Sequence, residues 1–149
     1  MTPIELEGYL LEHIPLCAAM EISVVAISEE SVTLSAPLAP NINHRNTVFG
    51  GSASALAILS AWSLLHTRLR STGLNARLVI QRNTMSYDRP ITGAFTAHSY
   101  IAEPSAWSAF IRTLARKGRA RIEVCSTLEY EGQSVGQFEG AFVSYSPSA

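Results

Sequence analysis

The stretch NHRNTVFGGSASALA, Asn43 to Ala57, decides how this chain is read. Polar loop residues run into a Gly-Gly pair, and the pair opens the most hydrophobic segment of the protein. From Gly51 to about Leu69, residues such as Ala53, Leu56, Ala57, Ile58, Leu59, Ala61, Trp62, Leu64 and Leu65 leave no polar face. That pattern predicts a helix surrounded by other structure. His66, Arg68 and Arg70 suit the negative end of its dipole, and Gly73 suits its stop. Asn46 to Leu65 carry no charge, but a membrane span needs about 20 apolar residues. Gly50, Gly51, Ser52, Ser54, Ser60 and Ser63 interrupt the run, so it reads as a buried helix and not as a span.

Working outward, Ile4 to Ile14 predicts a short amphipathic helix that Pro15 stops. Met20 to Ile27 and Val32 to Leu38 alternate as strands, with SEES, Ser28 to Ser31, as the hairpin turn. PLAPN ends the second strand, because proline cannot donate to a central ladder. After the main helix come strands at Ala76 to Tyr87 and Ala94 to Ile101. EPSAWSAFIRTLARKG then predicts a helix with Pro104 near its start and Gly118 at its end. Arg119 to Tyr130 alternates as a strand, EGQS turns the chain, and Val135 to Tyr145 is the last strand. SPSA reads as a loose tail. About six strands and one buried helix imply a curled antiparallel sheet round that helix, an α+β layout in one domain, 1–149.

Composition narrows the function classes. The chain has 149 residues and is 47% hydrophobic, enough for a substantial core. A net charge of −1 argues against nucleic acid as a partner. Cys17 and Cys125 lie far apart and suit buried thiols in a reducing, cytoplasmic setting. The N-terminal MTPIELEGYLLEHIP has no basic region of the kind a secretory signal carries. No Cys, His and Asp spacing suggests a metal.

PLAPNINHRNTVFGGS, followed by ALAILSAW and MSYDRPITG, resembles a thioesterase-like family of hotdog fold that also occurs fused behind an acetyltransferase domain. The resemblance covers nearly the whole chain. It implies an acyl-CoA or acyl-carrier thioester as substrate, no cofactor beyond coenzyme A as part of that substrate, and a homodimer or dimer of dimers. The chain departs from many hotdog thioesterases, which read His-Gly-Gly where this one has Phe49-Gly50-Gly51. They also carry an acid two turns into the helix, near Ile58 here. No Asp or Glu occurs between Ser31 and Tyr87, so a helix carboxylate mechanism is excluded.

The helix start is a ready oxyanion site, with the general base left unassigned. Its backbone N–H groups are unpaired and lie at the positive end of the dipole, and glycine lets a ligand approach. On this reading the N–H groups of Gly51 and Ser52 hold the thioester oxygen, and Asn43, Thr47 or Ser52 positions water. The plain alternatives stand beside it. Gly50 and Gly51 would merely permit a tight loop, and Ser52 would cap the helix. Asn41, Asn43 and Thr47 would hold a turn. His44 is a surface residue or a general base. Asn41, His44, Phe49, Gly50 and Tyr87 are candidate substrate contacts. Asp88, the only Asp, is either a turn carboxylate paired with Arg89 or Arg82, or a base supplied by a partner subunit. Arg112, Arg116, Lys117, Arg119 and Arg121 meet coenzyme A phosphates or form a solvated corner. Trp62 suits core packing or a dimer contact, His66 a helix-end charge, and His98 a sheet position. The rival functions are a non-catalytic acyl-CoA binding module, a dehydratase or isomerase, and a purely structural oligomer.

Overall fold

The computed structural model describes residues 1–147. Thr2 and Glu5 form a reciprocal capping box at the first helix, each side chain bonded to the other's backbone N–H at 3.2 Å. This helix, α1 (Pro3–His13), buries Leu6 and Leu10. Pro15 does not simply end the helical region. It occupies the first turn of a second short helix, α2 (Pro15–Ala19), where a missing N–H does no harm. Glu21, at φ +55°, turns the chain into β1 (Ser23–Ile27), so this strand begins later than its alternation suggested. Glu7 of α1 accepts the Val24 N–H at 2.8 Å and ties helix to strand. Ser28 closes the SEES hairpin, accepting the Glu30 and Ser31 N–H groups on its hydroxyl. The chain returns as β2 (Ser31–Ala36), which buries Val32, Leu34 and Ala36.

The central helix, α3 (Gly50–Thr72), is followed by β3 (Arg77–Tyr87) and β4 (Phe95–Tyr100). Next come α4 (Ser105–Lys117), β5 (Arg119–Tyr130) and β6 (Gln133–Tyr145). Gly73 and Gly118 end α3 and α4 at φ +74° and +73°, the left-handed conformation that glycine adopts without strain. The six strands lie in the order β1-β2-β4-β5-β6-β3, each pairing antiparallel. β3 therefore pairs on one side only, with β6, and its other edge is open.

The inner face of the sheet packs on α3. Small residues, Ala53, Ala57, Ser60 and Ala61, are buried on the helix and permit a close approach. Serine hydroxyls use that closeness. Ser99 donates to the Ser60 carbonyl at 2.8 Å, and Ser126 donates to the Ala57 carbonyl at 2.8 Å. The Ser60 hydroxyl in turn lies 2.9 Å from the Val32 carbonyl and 3.0 Å from that of Ala97. α4 adds Phe110 and Leu114 to the core, and the Arg68 guanidinium sits 4.3 Å over the Trp107 ring.

Two expectations need correction. His66 is not a charged helix end. It stacks on Trp62 at 4.6 Å and lies 4.6 Å from Tyr9 of α1, and its buried Nε2 has no partner. Burial, with Arg70 and His13 nearby, pushes its pKa down to about 4, so the ring is neutral at pH 7. The SPSA tail is not loose at its start, because the Ser146 N–H donates to the Gly118 carbonyl at 2.8 Å. Its last residues, 148–149, lie outside the described residues.

Candidate active site at the start of the central helix

The segment leading into α3 holds itself together. Asn41 closes a short 3-10 turn (Ala39–Asn41) and is buried. Its amide donates to the Met20 carbonyl at 3.0 Å and the Pro37 carbonyl at 2.8 Å, and its backbone carbonyl accepts the Phe49 N–H at 2.8 Å. Asn43 builds the next loop. Its Oδ1 accepts the Arg45 and Thr47 N–H groups, and its Nδ2 donates to the Thr47 hydroxyl at 2.7 Å. The loop passes through Asn46 at φ +63°, and Ile42 bridges Val48 across it. Asn41, Asn43 and Thr47 thus hold the approach to the helix.

Phe49 is the capping residue of α3, with no side-chain cap. Its carbonyl accepts the Ser52 N–H at 2.9 Å and the Ala53 N–H at 3.1 Å. Ser52 was expected to offer its amide to a ligand or its hydroxyl as a cap; the amide is already bonded, and the helix starts too early for the hydroxyl to cap it. In the first turn of α3, Ser52 and Ala53 are bonded in this way and the N–H groups of Gly50 and Gly51 have no acceptor. Neither glycine has a left-handed φ, so a tight turn does not require them. Each instead sits under an aromatic ring. A Cβ on Gly50 would lie 3.6 Å from Tyr87 Cε1, and a Cβ on Gly51 would run into the Phe49 ring.

Beside this helix start is a hollow of about 310 Å³, walled by Val48, Gly50, Ala53, Tyr87, Asp88 and Leu128, with Ile91 and Val135 adding apolar surface. Tyr87 and Asp88 reach it because β3 ends there, pinned by the Asp88 and Arg89 N–H groups on the Val135 carbonyl at 2.9 and 3.2 Å. The expected pairing of Asp88 with Arg89 or Arg82 does not form. Arg89 donates to Gln133 Oε1 at 2.6 Å, and the one ion pair among the described residues joins Arg121 to Glu123 at 3.8 Å. The Asp88 carboxylate is left exposed and unpaired, in the lining that also holds Gly50 of the same chain.

Other candidates lie apart. His44 is exposed on the Asn43–Thr47 loop and does not line the hollow. The basic stretch is at the wrong end of the sheet. Arg119 pairs with Tyr145, whereas the hollow is at Leu128, nine residues along β5 and so about 30 Å away by strand rise. A larger hollow of about 700 Å³ opens among Arg82, Arg121, Glu123, Cys125 and Glu139, and neither Gly50 nor Gly51 lines it. Cys17 is no nucleophile, since burial pushes its thiol up to about 11, and the Cys125 thiol is also raised by burial. No three of His, Cys, Asp and Glu converge as metal ligands would among the described residues, and no helix there is long and apolar enough to cross a membrane. Val48, Ala53, Ile91, Leu128 and Val135 were not foreseen at the site. In the sequence each looks like any other core residue, and only the ends of β3 and β5 bring them beside Gly50.

Solved structures share this architecture. A protein of unknown function from Chlorobaculum tepidum superposes with a TM-score of 0.91 at 23% identity, over 98% of each chain. A structure from Shewanella oneidensis described as a "putative thioesterase" gives 0.86 at 24% identity, over 97% of each. Thioesterase HI1161 from Haemophilus influenzae gives 0.79 at 13% identity, over 98% of this chain and 92% of that one. At such identities the likeness establishes the hotdog fold. The family described as "Putative thioesterase (yiiD_Cterm)" matches residues 4–146. The chain belongs to that thioesterase family, in the hotdog fold its sequence resembled.

Proposed function

We propose that the protein hydrolyses an acyl-CoA or acyl-carrier thioester at the start of α3. One observation carries the reading: two adjacent free N–H groups, at Gly50 and Gly51, open beside an apolar hollow that also holds an unpaired carboxylate. The thioester oxygen accepts from those N–H groups, helped by the positive end of a 23-residue helix. The acyl chain lies against Val48, Ala53, Ile91 and Leu128. Asp88 takes a proton from a water molecule whose oxygen bonds to the carbonyl carbon. When the C–S bond breaks, Asp88 returns that proton to sulfur, giving a carboxylic acid and a free thiol. Coenzyme A enters only as part of the substrate.

The working unit on this reading is a homodimer or dimer of dimers in the cytoplasm, with no nucleic acid or membrane partner. The open edge of β3 and its exposed Val79 support self-association. Sedimentation at micromolar concentration tests it, and a monomer counts against it.

A second reading, an acyl-CoA binding module without turnover, is favoured by the absence of any acid on α3. A panel of acyl-CoA thioesters assayed for free thiol separates the two. Release abolished by Asp88→Asn supports hydrolysis as described; tight binding with no thiol released supports the module.

A further inference from the structure

Gly51 has no backbone reason to be glycine. It lies inside α3 without a left-handed φ, where alanine is the better helix former. What occupies the space of its missing side chain is the Phe49 ring. A Cβ on Gly51 would fall 2.9 Å from Phe49 Cζ and 3.0 Å from Cδ2, distances that real side chains do not tolerate. Position 50 is different, because a Cβ there would make only ordinary contact with Tyr87.

The ring held in that seat is not core. Phe49 is 57% exposed against Gly51, with Tyr87, 56% exposed, against Gly50 and lining the hollow, and Ile42, 44% exposed, bridged to Val48 at its rim. Large apolar side chains exposed together at a polar opening mark a surface that meets a ligand. Ile42 is placed there by its bridge to Val48, and Phe49 by the Asn41 carbonyl that holds its N–H. The seat and the two free N–H groups therefore share one short, well-bonded segment.

We propose that Phe49 is a specificity-determining wall for the apolar part of the acyl thioester, and that Gly51 is a positioning residue acting through it. The inference rests on the thioesterase reading. It replaces the idea that Gly51 is small so that a ligand can reach its backbone: Gly51 is small so that the Phe49 ring can lie over it. Because the ring is more than half exposed, a methyl at 51 pushes it aside without disturbing the core, and the variant folds.

The test is a double-mutant cycle with Phe49→Ala, Gly51→Ala and the double variant, read as KM and kcat on octanoyl-CoA and as Kd for its non-hydrolysable thioether analogue. Each single change raises KM and Kd by about ten-fold, a loss of one apolar contact, with kcat within about three-fold. The double variant is no worse than Phe49→Ala alone, and Phe49→Tyr, which keeps the ring, restores the parent values. Proton NMR of the parent shows the Gly51 Cα protons shifted by the adjoining ring relative to their position in Phe49→Ala, with a nuclear Overhauser contact to that ring. If Gly51→Ala weakens binding as much with Phe49 absent as present, or the shift is missing, the proposal is overturned. If the shift is present but no thiol is released by the parent, hydrolysis fails and the cycle in Kd decides: non-additive losses uphold the positioning role, and no binding of the analogue overturns it.

Discussion

The Ser126 hydroxyl donates to the carbonyl of Ala57 at 2.8 Å, joining the middle of β5 to the second turn of α3. Ala57 is a helix residue whose carbonyl also serves the helix ladder, so losing the serine strands no acceptor. Ser126→Ala is expected to lower stability by about 1 kcal/mol. Ser126→Val, which puts a larger group where helix and sheet are closest, is expected to lower it by about 1–3 kcal/mol. Urea denaturation checks both, and equal effects would mean that the hydroxyl and not the spacing matters.

His66 makes stability depend on pH. Its folded pKa, about 4, lies below the ordinary 6.5, so below pH 6.5 the unfolded chain binds the proton first. Its contribution is full above about 6.5, falls as pH drops through the window from 6.5 to 4, and changes no further below it. His66→Phe, which keeps the stack on Trp62 and Tyr9, should flatten the urea midpoint across that window. A slope that survives the substitution would assign the effect to other groups.

Asp88→Asn separates chemistry from folding. The carboxylate has no ion pair or hydrogen bond to lose, so stability should stay within about 0.5 kcal/mol of the parent. Thiol release from acyl-CoA should fall by about 100-fold or more, as for removal of a general base. Unchanged release in a normally folded variant would place the base elsewhere.

Asn41 and Asn43 should respond differently from Asp88. Asn41→Ala strips buried hydrogen bonds from the Met20 and Pro37 carbonyls and is expected to lose about 2–3 kcal/mol in thermal unfolding. Asn43→Ala, in a part-exposed loop, should lose about 1 kcal/mol and speed limited proteolysis between Asn43 and Thr47. An Asn43 variant that loses turnover while its loop stays protected would return Asn43 to the chemistry.

The strand β5 was legible to the residue, Arg119–Tyr130, because its inner and outer residues alternate and a glycine stops the preceding helix. The number of strands and the single buried helix were legible for the same reason. α2 was not, since a proline reads equally as the end of one helix and the first residue of the next. The free N–H pair was misplaced by one residue because α3 starts without a side-chain cap to mark it. Trp62 and His66, four apart, are neighbours on any helix, but Tyr9 joins their stack only through the docking of α1. The unpaired state of Asp88 depends on Arg89 turning to Gln133, forty-four residues away, which no local pattern reports.

The hydroxyl contacts along α3 have a consequence for how this protein can change. Ser99 on Ser60 and Ser126 on Ala57 fix the helix against both rolling and sliding on the sheet. A substrate of different length cannot be met by moving the helix a fraction of a turn. Adaptation falls mainly to the segments that end beside Gly50, residues 37–49 and 87–91, with the helix as the ruler against which they are measured. Randomising those two segments should yield altered preference on an unaltered frame, whereas randomising the buried serines should lower stability without altering preference.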